Sequence, residues 1–137
     1  MTKQTGRCLC GAMTYEATAM PVMSVTCHCT HCQKATGSAY STNICVPSDA
    51  FNITGDTLTT YVDQGDSGMD LRRFFCSKCG SPIYTEADAM PGLSIIKAGT
   101  LDDTNTFKPT ANIFCESKMQ WLKDECETTD FPKMPTE

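Results

Sequence analysis

Cysteine is the residue type through which this 137-residue sequence announces chemistry: ten are present, and seven of them fall in three tight clusters. These are Cys8-Leu9-Cys10-Gly11, Cys27-His28-Cys29-Thr30-His31-Cys32 and Cys76-Ser77-Lys78-Cys79-Gly80. In a CxxC knuckle the chain turns tightly enough to bring two sulfurs to one tetrahedral metal, and its backbone N–H groups donate to the thiolates. The glycines that follow Cys10 and Cys79 suit turns that need positive φ. A structural zinc takes four protein ligands, whereas a catalytic zinc keeps three and leaves a position open. The seven cysteines divide in that way. Cys8, Cys10, Cys76 and Cys79 make a closed structural site. Cys27, Cys29 and Cys32 make a catalytic site one ligand short, so that two zinc ions per chain are expected.

Other divisions stay open on spacing alone. Cys29 and Cys32 could join Cys76 and Cys79 in a zinc ribbon, stranding Cys8, Cys10 and Cys27. His28, His31, Cys45 or Cys115 could close the middle site as a fourth ligand. An even cysteine count also permits a disulfide framework in a secreted domain. His28 and His31 invite roles as proton shuttles near neutral pH; in an extended CHC segment, alternation turns His28 away from the metal that its neighbours share. Cys45, Cys115 and Cys126 read as core residues or spare thiols, and Trp121 as a packing anchor.

The elements that must position these clusters read as short strands: Met13 to Ala17, Tyr40 to Val46, Phe51 to Ile53, Leu58 to Val62, Leu71 to Phe75, Leu93 to Ala98 and Asn112 to Cys115. Glycines and prolines interrupt the chain too often for long helices. Two short helical pieces are expected, one after Cys29 from His31 to Ala35 and one from Ser117 to Lys123. The chain should form a single domain over residues 1–137, with a core over about residues 5–123 and a surface arm over 124–137.

Composition narrows the function classes. The formal net charge is −5; seven zinc thiolates and two zinc ions take it to roughly −8. With Lys and Arg scattered singly apart from Arg72 and Arg73, the sequence lacks the basic stripe of a nucleic acid binder. No window approaches the roughly 20 apolar residues of a membrane span, and the first residues lack the apolar run of a signal peptide. A cytoplasmic location is therefore expected, where reduced thiols bind metal rather than each other.

The three cysteine motifs in this order resemble the glutathione-dependent formaldehyde-activating enzyme family, whose domain also occurs in centromere protein V. The resemblance runs from GRCLCGAMTYE at Gly6 to Glu16, through CHCTHCQKATGSAY at Cys27 to Tyr40 and RFFCSKCGSPIY at Arg73 to Tyr84, to GTLDD at Gly99 to Asp103 and the Pro109 to Trp121 segment. It implies a mainly β, zinc-stabilised Mss4-like (β-tent) fold with few short helical turns. It implies the same four-plus-three use of cysteines, and carbon–sulfur lyase chemistry on glutathione and formaldehyde. Met13 stands where valine is usual, and Asn112 where many members have histidine, which points toward a different substrate if that histidine touches substrate in relatives. A small thiol ionised at the open position would attack an aldehyde carbon. Lys34, Gly37 and Ser38, beside the middle cluster, are the candidates for holding glutathione. Thr36, Arg72, Arg73 and Lys97 stand behind them as further donors and cations. A non-catalytic zinc-stabilised binding module and a thiol redox enzyme are the competing functions.

Overall fold

The structure is a computed structural model, described here for residues 3–123 and 128–135. Eleven strands and one α-helix follow in order: β1 Gln4–Arg7, β2 Thr14–Ala17, β3 Met23–Cys27, α1 Thr30–Thr36, β4 Ser41–Pro47, β5 Phe51–Thr54, β6 Leu58–Gln64, β7 Asp70–Cys76, β8 Pro82–Ala87, β9 Leu93–Lys97, β10 Ala111–Ile113 and β11 Thr129–Asp130. The mainly β, Mss4-like expectation holds. Each of the seven expected strands lies within a residue or two of an observed one, except that the Asn112 to Cys115 strand stops at Ile113 and Cys115 opens a 3-10 turn.

β1, β2 and β5 form a small antiparallel sheet. The other eight strands form one sheet in the order β11-β10-β3-β4-β9-β8-β7-β6. Because side chains alternate across a strand, each strand of the large sheet serves two compartments. Ile44 and Val46 of β4, Ile83 of β8 and Ile96 of β9 pack with Tyr15 and Ala17 of the small sheet, and with Met13 just before β2, in the main core. Burying each such side chain is worth about 1.5–3 kcal/mol. The intervening residues face the other way, and the register aligns Met23, Cys45, Ile95, Thr85 and Arg73 in one row across β3, β4, β9, β8 and β7. Asn43 and Lys97 pair in the next row.

The helix after Cys29 spans Thr30–Thr36 and ends on Gly37, whose φ of 65° takes the left-handed conformation that glycine adopts without steric cost. The expected second helix over Ser117 to Lys123 is absent: the 3-10 turn Cys115–Ser117 ends there, and Lys118 is already extended at ψ 135°. The terminal arm lies on the surface yet is tied down over its described part. β11 pairs parallel to β10, the Phe131 N–H donates to Asn112 O at 2.8 Å, and Phe131 packs on a second core of Val25, Cys27, Cys32, Ala111 and Ile113. Cys126 lies outside the described residues.

Candidate metal centres

The four-cysteine cluster joins two distant segments. Cys8 and Cys10 follow β1, Cys76 ends β7, and Cys79 sits in the turn to β8. All four sulfurs lie within 4.8 Å of one another. The Cys8–Cys10 separation is 3.6 Å and the Cys10–Cys76 separation 3.8 Å. A tetrahedron of thiolates on zinc, with Zn–S about 2.3 Å, has edges of about 3.8 Å, so the donor set and its spacing fit that ion. Gly11 and Gly80 have φ of 82° and 81°, as the turns require. Around the sulfurs stands a shell of donors: Met13 N–H to Cys8 Sγ at 3.3 Å, the Thr57 hydroxyl 3.1 Å from Cys76 Sγ and the Ser81 hydroxyl 3.2 Å from Cys79 Sγ. The Ser81 hydroxyl, with the backbone N–H groups of Cys10 and Ser81, holds the Cys79 thiol down to about 5 against desolvation. The Cys10 N–H thus ties one half of the site to the other.

The three-cysteine cluster is local. Cys27 ends β3, Cys29 caps α1 by accepting the Cys32 N–H at 3.2 Å, and Cys32 lies on the buried side of the helix. Their sulfurs also lie within 4.8 Å of one another, and among the described residues no fourth His, Cys, Asp or Glu joins them. The ribbon grouping is ruled out, since Cys29 and Cys32 stand in one cluster and Cys76 and Cys79 in the other. Three soft thiolates fit zinc as three sides of the same tetrahedron. Hydrogen bonds from the Cys27 and Cys29 thiols, helped by the Lys97 charge and the Ser41 hydroxyl, pull the Cys32 thiol far down despite its burial. Cys27, which shares its proton with Cys29 and Cys32 and is itself desolvated, is pushed up.

The neighbouring candidates sort themselves by face. His28 is buried against Tyr40, with its Nε2 3.2 Å from the Thr26 hydroxyl, and lies outside the sulfur cluster, as alternation requires. His31 reaches Asp63 Oδ2 at 2.9 Å, and the same carboxylate accepts Arg73 Nε at 3.1 Å. Cys45 lies in the sheet row with its thiol raised to about 11 by burial, and Cys115 Sγ donates to Asn112 O at 3.4 Å; neither joins a metal cluster. Asn112 points away from the three sulfurs. It accepts from the Thr26 hydroxyl and donates to Thr128 Oγ1 at 2.7 Å and Asp130 Oδ1 at 2.6 Å, clamping the arm to the sheet.

Three cavities meet at Lys97. One, of about 410 Å³, is lined by Cys27, Cys29 and Cys32 together with Asn43, Arg73 and Lys97. A second, of about 430 Å³, lies between Ala35, Thr36, Phe74, Tyr84 and Lys97. A third, of about 590 Å³, is rich in hydroxyls from Thr36, Ser38, Tyr40, Ser41 and Thr100, under Trp121. Trp121 is 70% exposed, so it covers this groove and is not the packing anchor expected. Ser38 lines the groove, Gly37 is accounted for as the helix cap, and Lys34 is exposed on α1 and lines none of the three cavities. Arg72, one residue out of phase with Arg73, pairs with Glu86 and Asp88 instead.

The polar relay beside Cys32 was not foreseen from spacing. Lys97 Nζ donates to Asn43 Oδ1 at 2.7 Å, and Asn43 Nδ2 donates to Ser41 Oγ at 2.9 Å, the hydroxyl that hydrogen-bonds to Cys32. Desolvation lowers the Lys97 pKa while the Cys32 thiolate pulls it back up. Only β4–β9 register brings Asn43 and Lys97 together, so the one available signal is their shared parity on two adjacent strands.

A crystal structure of a Rhodobacter sphaeroides protein superposes with a TM-score of 0.58 at 19% identity, covering 72% of this chain and 87% of that one, and so shares the fold. No curated protein matches the sequence. The profile described as "Glutathione-dependent formaldehyde-activating enzyme" matches residues 3–117, a span that takes in both cysteine clusters and the whole Lys97 relay. By that match the chain belongs to the glutathione-dependent formaldehyde-activating enzyme family.

Proposed function

We propose that this protein is a zinc-dependent carbon–sulfur lyase-type enzyme that joins a small thiol such as glutathione to an aldehyde such as formaldehyde, or cleaves the S-hydroxymethyl adduct. Cys8, Cys10, Cys76 and Cys79 hold a structural zinc; Cys27, Cys29 and Cys32 hold a catalytic one. The observation that carries this reading is the three-sulfur cluster with no fourth protein donor among the described residues, opening on a cavity of about 410 Å³. Zinc in such a shell lowers the pKa of a thiol that completes it.

The chain's own groups supply the rest. Lys97 and Arg73 place positive charge beside sulfurs that carry negative charge, and the Asn43–Ser41 relay fixes the Lys97 ammonium and the Ser41 hydroxyl in position. The hydroxyl-rich groove containing Ser38 offers hydrogen bonds to the peptide part of glutathione. Gly37, the helix cap next to Ser38, and Lys34, exposed on the same helix, are assigned to the outer end of that peptide, Lys34 as a cation for a carboxylate. The substrate thiolate bonds to the aldehyde carbon, the carbonyl electron pair moves to oxygen, and the proton given up by the thiol completes the hydroxyl. Reduced glutathione is the cytoplasmic thiol, so the reading places the protein there, as one zinc domain with its core over about residues 5–123 and residues 124–137 as an arm. No helix among the described residues is long and apolar enough to cross a membrane.

The test is metal analysis of wild type and Cys29→Ser with an assay for S-hydroxymethylglutathione. Two zinc ions per wild-type chain, one in the variant, and product formed only by the wild type are expected. One zinc in both proteins with no thiol dependence would instead mark a zinc-stabilised binding module.

A further inference from the structure

The cavity over the three sulfurs, about 410 Å³, is many times the roughly 10–15 Å³ that a water-sized guest needs, so formaldehyde together with the sulfur end of glutathione leaves much of it unfilled. Its wall is mostly hydrocarbon. Met23, Val25, Leu71, Ile95, Ile113 and Phe114 line it from four strands and the residue after β10. Phe114 holds a left-handed backbone, φ 56°, unusual for a bulky residue.

The mouth is built from separate segments. Met69 comes from the turn between β6 and β7, Met90 from the turn between β8 and β9, and Met134 from the terminal arm. Met69 is 47% and Met134 37% exposed. Two of these large apolar side chains, Met69 and Met134, are thus left in water beside the cavity they line, with Met90 half-buried there, an arrangement that a hydrophobic guest would cover. Unbranched thioethers adapt to guests of varied shape. The cations of the wall are already engaged at the sulfur end: Arg73 and His31 hold Asp63, and Lys97 is bonded to Asn43 beside Cys32. Little is left to bind a strongly polar substrate tail.

We infer that this cavity receives a hydrocarbon chain carried by the aldehyde, which makes the substrate class a medium-chain apolar aldehyde rather than formaldehyde alone. This rests on the proposed function for which end of the molecule reacts: glutathione sulfur bonds to the aldehyde carbon near the three cysteines, and the chain extends toward the methionine rim. The carbonyl oxygen takes the proton that the thiol releases, so the adduct forms without oxidant or reductant.

The experiment compares formaldehyde, butanal and octanal with zinc-loaded full-length protein at fixed glutathione, in wild type, Met69→Glu, Met90→Glu and Met69→Leu. Each buried methylene contributes about a fourfold gain, so kcat/KM in the wild type should rise by up to about 250-fold across the four methylenes that separate butanal from octanal, and octanal should also exceed formaldehyde. The rise should survive in Met69→Leu and disappear in the two glutamate variants. In parallel, methionine-methyl NMR with 1-octanol or methanol reads occupancy without any reaction; octanol should shift Met69, Met90 and Met134, and methanol should not. Turnover independent of chain length, with octanol leaving those methyls unmoved, overturns the inference and leaves the proposed function standing. Octanol shifting the methyls while no aldehyde reacts refutes the proposed function and upholds the apolar cavity. Methyl shifts that follow protein concentration without any alcohol would make the rim a contact between copies of the chain, and would also overturn the inference.

Discussion

The four-cysteine cluster gathers its sulfurs across 66 residues of chain between Cys10 and Cys76, whereas the three-cysteine cluster takes all of its sulfurs from residues 27–32. The first closes a long loop and ties the small sheet to the β7–β8 end of the large one. The second closes nothing that β3 and α1 have not already closed. A ligand set that spans distant segments has its binding energy committed to folding, while a local set can be left incomplete without cost to the fold. That contrast supports the proposed division, with a structural role for the first site and chemistry at the second.

The contrast would break most visibly if substitution in the two clusters had equal effects on stability. Cys76→Ser removes a fully buried ligand of the long-range site, and should cost more than about 5 kcal/mol, since structural zinc contributes at least that much to small domains. Cys29→Ser should cost about 1 kcal/mol or less, because serine caps helices well and can accept the Cys32 N–H in place of sulfur. Thermal melts of both variants, with zinc counted in each, decide the point.

Next in size is metal retention. A chelator titration should strip the three-cysteine site at about a hundredfold lower concentration than the four-cysteine site, whose thiolates are both more numerous and more fully hydrogen-bonded. Glutathione should narrow that gap.

The cations sharpen the comparison further. Lys97→Met should lower kcat/KM by about tenfold to a hundredfold by removing positive charge from beside the substrate thiolate, while leaving the melting temperature unchanged or slightly raised because a desolvated ammonium is gone. Lys78→Met, in the exposed knuckle of the other site, should change stability by no more than about 0.5 kcal/mol and activity not at all.

The smallest effect concerns Asp63. Desolvation pushes its carboxyl up, but hydrogen bonds from His31, the Gln64 N–H and Arg73 outweigh this and hold it below the ordinary range. A depressed carboxyl stabilises the fold above its unfolded value, near 3.9, and that stabilisation is lost as pH falls through the lower folded value. Asp63→Asn should therefore lose about 1 kcal/mol or less near neutral pH. The difference from wild type should close as denaturant melts are repeated from pH 5 down to about pH 2.5.

The two cysteine clusters were legible in the sequence because knuckle spacing is a local property. β4 was equally plain, with β-branched Thr42, Ile44 and Val46 at alternate positions. β8 was missed because it opens on Pro82 and carries polar Thr85 and Glu86, and β1 because three of its four residues are polar or charged. The arm over Thr129–Asp130 has no strand signature; it is held by Asn112 from elsewhere in the chain and by its own Phe131, which packs on the second core. The Lys97–Asn43–Ser41 relay and the methionine rim are products of register and turn placement, which no window of residues reports. Trp121 was misread because an aromatic residue ordinarily finds a core; here it lies over a groove.

Cadmium NMR of the doubly loaded protein tests the central claim most directly. The account predicts two signals, one for each cluster: the four-thiolate signal should stay fixed when glutathione is added, and the other should move to the position of a four-thiolate site as the added thiol completes its shell. A second signal already at the four-thiolate position in the absence of glutathione, or one unmoved by saturating glutathione, would contradict the claim that Cys27, Cys29 and Cys32 leave room for a substrate.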